Sequence, residues 1–297
     1  MNNFDCIIIG SGIAGITAAI YLKRADKKIL LLENNIPGGQ INKTSNVENY
    51  PGFIKIDGPS LAGNLLDQVE NLDINLKYEE VISVEKSGNF IITTKKAEYE
   101  SPYVILATGR TPNSLGLANE KELIGKGISY CALCDGNFYK GLDVVVVGGG
   151  DSAFEESLYL SNICKSITII NRSDKLRASS ILQDQVSKKE NIKVIYNEEI
   201  EKINTEDGKI VSVNLKNSVL PCNGIFVYIG STPNINYLKN LDLETDKNYV
   251  IVNNTMQTSI NGLYAAGDII KKNTYQIVTA ASDGAKAAAS IIKNMEW

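Results

Sequence analysis

Twice in this chain a short run of strand formers stops at a glycine turn and resumes as a helix, and no other feature restricts the fold as much. The first copy passes from residues 5–9 through Gly10-Ser11-Gly12-Ile13-Ala14-Gly15 to an alanine-rich helical pattern over 16–23. The second passes from residues 143–147 through Gly148-Gly149-Gly150-Asp151-Ser152-Ala153 to a helical pattern over 154–160. Such a turn alone occurs by chance in unrelated loops and acquires meaning from the strand before it and the helix after it. In that setting bare backbone approaches a pyrophosphate at the helix N-terminus, where unpaired N–H groups and the helix dipole favour negative charge.

The residue that closes the following strand separates the two sites. Residues 28–32 end in Glu33 and residues 166–170 end in Asn171, each 23 positions after the first glycine of its turn. A carboxylate there accepts ribose hydroxyls and repels a 2′-phosphate, so the first ligand is expected to carry an unphosphorylated adenosine, as FAD or NAD does. Asn171 removes that repulsion, and Arg172 and Arg177 either offer two cations to a 2′-phosphate or stand as solvated loop charges. The expectation is an α/β protein with two Rossmann-like dinucleotide-binding domains, and 297 residues exceed the size at which a single core keeps growing.

A net charge of −4 and a pI near 5.2 leave no basic footprint for nucleic acid. Residues 6–22 are apolar enough to mimic a membrane span, but their three glycines and the lack of a preceding Lys or Arg argue against a span or an export signal. A cytoplasmic protein is expected, and its five cysteines are then reduced thiols unless they have a redox task. Cys6, Cys164 and Cys222 stand alone in sequence, and Cys6 opens an apolar strand as a small buried side chain. Cys131-Ala132-Leu133-Cys134-Asp135-Gly136 instead sets a CxxC pair just before the second glycine turn. Structural zinc takes four Cys or His ligands and the chain has no histidine, so no metal is expected. Thiol exchange needs a thiolate and a proton donor for the leaving sulfur. Asp135 suits that donor, although Asp-Gly is also a common turn dipeptide.

These motifs are joined by Gly38-Gly39-Gln40, Asn49-Tyr50-Pro51-Gly52, Ala107-Thr108-Gly109 and Ala265-Ala266-Gly267-Asp268-Ile269, and their order resembles the low-molecular-weight thioredoxin reductases from end to end. The resemblance implies two three-layer ββα domains: an FAD domain over 1–112 and 242–297, and an inserted NAD(P)H domain over 113–241 that carries the dithiol, with hinges near Asn113 and Asn240. It implies a homodimer that serves thioredoxin or a thioredoxin-like protein. FAD would meet Gly10 to Gly15, Glu33, Gly38, Gly39, Gln40, Asn49, Ala107, Thr108, Gly109, Gly267, Asp268, Gln276 and Ile277. NADPH would meet Gly148 to Ala153, Arg172 and Arg177. Cys134 would lie nearest the flavin and Cys131 would attack the partner's disulfide, with the inserted domain rotating between half-reactions. Without the resemblance, Gly267-Asp268 reads as a strand-to-helix loop with a helix-cap candidate.

Two departures bear on the electron donor. Relatives that use NADPH have His-Arg-Arg where this chain has Asn171-Arg172-Ser173, and an arginine where it has Tyr275. Each charge-assisted contact to phosphate is worth roughly 1.5–3 kcal/mol, enough to weaken NADPH by about one or two orders of magnitude or to let NADH compete. Ferredoxin-fed relatives share the tyrosine before Gln276, but their second glycine turn is eroded and this one is intact. The leading expectation is an NADPH-dependent thioredoxin reductase. Beside it stand the same disulfide reductase fed by NADH or reduced ferredoxin, and a flavoprotein dithiol oxidase that gives its electrons to oxygen.

Overall fold

Every residue of Cys6–Ile9 (β1) and of Ile29–Glu33 (β2) is buried, which a parallel sheet achieves only when both of its faces are covered. In the computed structural model, which describes residues 2–44 and 47–296, these strands are joined by helix α1 (Ile13–Arg24). They lie side by side, Cys6 opposite Ile29 and Ile9 opposite Leu32. Helix α2 (Gly58–Asn71) is capped by Asp57, whose carboxylate accepts the Ser60 N–H at 2.8 Å, and leads into β3 (Leu76–Tyr78) at the sheet edge. A small second sheet follows, made by Val81–Ser87, Asn89–Thr94, Glu98–Ser101 and Asn2–Asn3. Then β4 (Tyr103–Leu106) returns to pair with the other side of β1.

The second glycine turn sits in a second sheet of the same plan. Its elements are β5 (Ile128–Ser129), α3 (Ala132–Asp135), β6 (Asp143–Val147), α4 (Asp151–Leu160), β7 (Ser166–Asn171), β8 (Ile192–Tyr196) and β9 (Gly224–Val227), with strand order β5-β9-β6-β7-β8, all parallel. Successive residues of a strand point to opposite faces, and here each face has its own core. Val145, Val147, Ile170 and Ile225 pack with Ile203, Ile210 and Val213 of an antiparallel sheet. Val144, Val146, Ile167 and Phe226 pack with Ala153, Phe154 and Leu160 of α4. The result is three layers. The chain then returns to the first sheet, adding β10 (Leu263–Ala265) beside β4 and the long helix α5 (Ile277–Glu296). Gly284 lets α5 close on α1, since a Cβ there would overlap the Ala14 carbonyl oxygen.

Contacts divide the chain into Met1–Thr44, Tyr50–Thr111 and Thr232–Trp297 on one side, and Ser45–Asn49 and Pro112–Ser231 on the other. The chain returns to the first unit at 231–232 and not near 241, where the resemblance places the boundary. The reason is a repeat: Gly109-Arg110-Thr111-Pro112-Asn113 is echoed by Gly230-Ser231-Thr232-Pro233-Asn234. Arg110–Pro112 and Ser231–Pro233 form a two-stranded ladder. Its ends are closed symmetrically, by Asn113 N–H to the Gly230 carbonyl at 3.0 Å and Asn234 N–H to the Gly109 carbonyl at 3.1 Å. The two side-chain amides repeat the pattern one residue further on, at 3.2 Å to Ile229 and 3.0 Å to Thr108. Asn240 lies past the crossing and donates its amide to Glu85 of the first unit at 2.8 Å.

Candidate functional site

The first glycine turn is closed by contacts that only glycine permits. Gly10 has φ +103°, and a Cβ on it would lie 2.5 Å from the Ala107 carbonyl oxygen; one on Gly15 would overlap the Gly10 carbonyl oxygen. Gly12 differs, for a Cβ there meets nothing within 4 Å, and α1 starts at it without a side-chain cap. An open backbone at an uncapped helix N-terminus, walled by packed glycines, is the cradle a pyrophosphate needs. Glu33 at the tip of β2 is buried, accepts the Ser11 N–H at 2.8 Å and hydroxyl at 2.7 Å on one oxygen, and accepts the Asn35 N–H at 2.8 Å on the other. Gly39 approaches from the next loop, its Cβ position 3.6 Å from the Gly12 Cα, and Gly38 N–H donates to the Ser11 carbonyl at 2.8 Å.

The ends of β4 and β10 complete this edge. Ala107 is packed under Gly10, Thr108 Oγ1 donates to the Asn234 carbonyl at 2.8 Å, and Gly267, at φ +80°, brings Asp268 past Ala14. One residue absent from the sequence reading ties them together. Arg110 receives the Gln40 amide on its carbonyl at 3.1 Å, reaches Asp268 with its guanidinium at 3.7 Å, and stacks on the Tyr275 ring at 3.7 Å, one residue before Gln276 and Ile277. Its signal is the crossing repeat, in which Arg110 stands where the second copy has Ser231, the one position that differs. Asn49 clusters with the second unit instead.

The second turn repeats the geometry with changed chemistry. Gly148, at φ +143°, is closed against the Tyr228 carbonyl, Gly150 is open, and α4 starts there uncapped above the exposed side chains of Asp151 and Ser152. The third position is Ala153, fully buried in the core. Asn171 occupies the place of Glu33 but turns its amide into its own loop, donating to the Ser173 and Lys175 carbonyls at 2.8 and 3.1 Å. The backbone N–H of Arg177 is tied to the Gly149 carbonyl at 2.7 Å, and the side chains of Arg172 and Arg177 are exposed.

Cys131 and Cys134 are joined as a disulfide, with Cα atoms 5.3 Å apart. Cys131 caps the single-turn helix α3, its Sγ accepting the Cys134 N–H at 3.2 Å. Ser129 links the pair to the acid, since its hydroxyl accepts the Cys131 N–H at 3.1 Å and donates to Asp135 at 2.6 Å. The other Asp135 oxygen is buried without a partner. Burial pushes the Asp135 carboxyl up from the usual carboxylate range, and the Ser129 bond opposes that only in part. A carboxyl that keeps its proton beside a disulfide can protonate a leaving sulfur.

The chain matches the pyridine nucleotide-disulphide oxidoreductase family over residues 4–285. It belongs to that family. It is 41% identical to the thioredoxin reductase of Bacillus subtilis over 97% of this chain and 93% of that protein. Among solved structures, thioredoxin reductase from Streptococcus pyogenes matches with a TM-score of 0.95 at 37% identity, covering 99% of this chain and 98% of the other. Lactococcus lactis thioredoxin reductase in its FR conformation matches with a TM-score of 0.67 at 40% identity, covering 98% of each.

As a pyridine nucleotide-disulphide oxidoreductase, the chain acts on a disulfide, and the remaining cysteines are unsuited to that work. Cys6, Cys164 and Cys222 are buried, and burial pushes the thiols of Cys164 and Cys222 up to about 11 and 12 and that of Cys6 higher still. A thiol held that far above neutrality is a poor nucleophile. Family membership implies FAD and a nicotinamide cofactor, and the open backbones at Gly12 and Gly150 fit two such groups. No described helix is long and apolar enough to cross a membrane. Sequence reasoning also missed Tyr228 and Glu156, which touch the redox turn from outside it. Glu156 had a signal: it lies three residues after Ala153 and four before Leu160, on the buried face of α4.

Proposed function

We propose that the protein is an NADPH-dependent thioredoxin reductase. The reading rests on one observation above the others, the disulfide Cys131–Cys134 seated beside a partly buried acid in a family chain with two glycine cradles. The first unit would hold FAD and the second NADPH. When bound, FAD would supply two-electron transfer between nicotinamide and disulfide, so that NADPH, a proton and a disulfide would become NADP⁺ and a dithiol. The chain's own residues do the rest. Glu33, Ser11 and Gly12 orient the first nucleotide, while Arg172 and Arg177 face the second. Asp135 holds the proton for the leaving sulfur. Cys131 attacks the thioredoxin disulfide and Cys134 resolves the mixed disulfide. Rotation of one unit against the other between half-reactions is part of the proposal; TM-scores of 0.95 and 0.67 at 37% and 40% identity support a family with more than one overall arrangement. A homodimer in the cytoplasm is proposed with it.

A second donor has a specific observation in its favour. Asn171 spends its amide on its own loop and Tyr275 is stacked on Arg110, so neither presents a cation to a 2′-phosphate. NADH or reduced ferredoxin is therefore the competing donor, whereas the intact second cradle disfavours a dithiol oxidase. Anaerobic titration of the flavin protein with each of the three donors decides between them. Bleaching by NADPH at micromolar levels is expected, and bleaching by ferredoxin alone would overturn the choice. Cys134→Ser is expected to abolish thioredoxin reduction, and retention of turnover would sink the dithiol mechanism.

A further inference from the structure

Three N–H groups open the turn that carries the disulfide, and each has a different acceptor. Cys134 N–H points at Cys131 Sγ at 3.2 Å, Ala132 N–H donates to the Tyr228 hydroxyl at 2.7 Å, and Leu133 N–H donates to the Glu156 carboxylate. Glu156 arrives from α4, the helix that follows the second glycine turn. Its other oxygen, Oε2, is buried without a partner, and the one other such side-chain oxygen among the described residues is Oδ1 of Asp135. Two half-satisfied carboxyl groups therefore bracket one disulfide, and only Asp135 has a place in the reaction as described so far. An unpartnered carboxylate oxygen out of water is costly, and a proton on the group relieves that cost.

We propose that Glu156 is a positioning residue for the dithiol: it anchors Leu133 between the two sulfurs, and it takes up a proton when the disulfide is reduced. The inference rests on the disulfide reductase reading above. Hydride from the nicotinamide supplies two electrons and one proton, which break the S–S bond and leave one thiol and one thiolate. The remaining proton of the overall reaction, drawn from solvent, then sits on Glu156 and not on the thiolate. Charge balances, because the disulfide with an ionised Glu156, NADPH and H⁺ give a thiol, a thiolate, a neutral Glu156 and NADP⁺. The nucleophilic sulfur stays anionic for exchange.

The surroundings suit this role. The titratable groups acting on Glu156 or sensing its charge are Glu155 on its own helix and Tyr228 after β9, which senses Asp135 as well; no cation contributes among the described residues. Burial first, and Glu155 second, push the Glu156 carboxyl up to about 7. The chain has no histidine, so a transition near neutrality has few other sources.

The test is the thiol–disulfide equilibrium of the FAD-loaded enzyme against glutathione between about pH 5.5 and 8.5, read by acid quenching and mass counting of alkylated Cys131 and Cys134. Wild type is expected to bend near pH 7. Glu156→Gln is expected to lose the bend, to coincide with wild type at the acid end and to favour the dithiol about three- to tenfold more at the alkaline end. Glu156→Ala should lose the bend and add an offset at all pH values from the released Leu133 N–H. Parallel curves for wild type and Glu156→Gln, or a wild-type curve without the bend, overturn the proposal. Neither NADPH nor thioredoxin is present, so failure of NADPH-driven thioredoxin reduction would count against the proposed function alone.

Discussion

Gly10 and Gly148 are closed in the same way, each by a carbonyl oxygen from the strand next door, and Gly12 and Gly150 are open in the same way. The turns share only their first and third residues, and two of the differences between the regions bear on the ligand. Where the first has Gly15 pressed on its own turn, the second has a buried Ala153; where the first ends its next strand in Glu33, the second ends it in Asn171. Glu33 binds its glycine turn through the N–H and hydroxyl of Ser11, whereas Asn171 packs its side-chain oxygen against Gly149 and donates its amide N–H groups to Ser173 and Lys175. On the proposed reading, the backbone cradle and the choice of nucleotide are carried by different atoms. The cradle depends on how closely a neighbouring carbonyl approaches the glycine, and on that reading the choice of nucleotide would rest on a side chain one strand away.

The sharpest way to break this equivalence is at the third position. Gly15→Val would drive a branched side chain into the Gly10 carbonyl and the Ala107 methyl, a core overpacking expected to cost more than about 4 kcal/mol. The variant should be recovered colourless or insoluble, as followed by flavin absorbance. Gly12→Ala meets no protein atom and should still fold, with weaker FAD binding as its main defect. If Gly15→Val stays yellow and soluble, the third glycine is not what closes the first turn.

Next in size is the selectivity swap. Asn171→Glu would give the second turn the acid of the first, and repulsion of the 2′-phosphate should lower kcat/KM for NADPH by about 10- to 100-fold while leaving NADH little changed. An equal loss with both donors would mean that Asn171 supports the loop and does not select the nucleotide. Arg177→Ala and Arg172→Ala sharpen the same point, each expected to raise KM for NADPH about tenfold, worth ~1.4 kcal/mol, with no change for NADH.

Most of this architecture was legible because the strand, glycine turn and helix succeed one another in sequence, and because Glu33 and Asn171 stand at one spacing from their turns. The return crossing was misplaced because its evidence is a five-residue echo 121 positions later, which no hydrophobic period reveals. Arg110, Tyr228 and Glu156 were missed for a different reason. Each acts through a partner far away in sequence: Gln40 and Tyr275 for Arg110, Ala132 for Tyr228, Leu133 for Glu156. Local reading found the dithiol and the acid beside it, but not the groups that other strands and helices bring to them.

The smallest expected effect concerns the redox turn, the feature that only the second unit has. Burial lifts Glu156 from the ordinary 4.5 to about 7, so between those values the folded chain holds a proton that the unfolded chain gives up. Stability is then highest below pH 4.5 on this account and falls as the pH rises through the window to about 7. Glu156→Gln removes the titration while keeping an acceptor for Leu133 N–H. After allowance for the partial exposure of the side chain, the variant should be about 1 kcal/mol more stable than wild type at pH 8, a rise in melting temperature of roughly 2–4 °C. The two should melt together near pH 4.5, where Glu156 is largely protonated in the folded chain and the unfolded chain is half protonated. Melting curves with FAD saturating in both proteins make the comparison. Superimposed curves at pH 8 would mean that water reaches Oε2 and that the carboxylate ionises without cost. The second unit would then carry its dithiol on a turn as relaxed as the first unit's cradle.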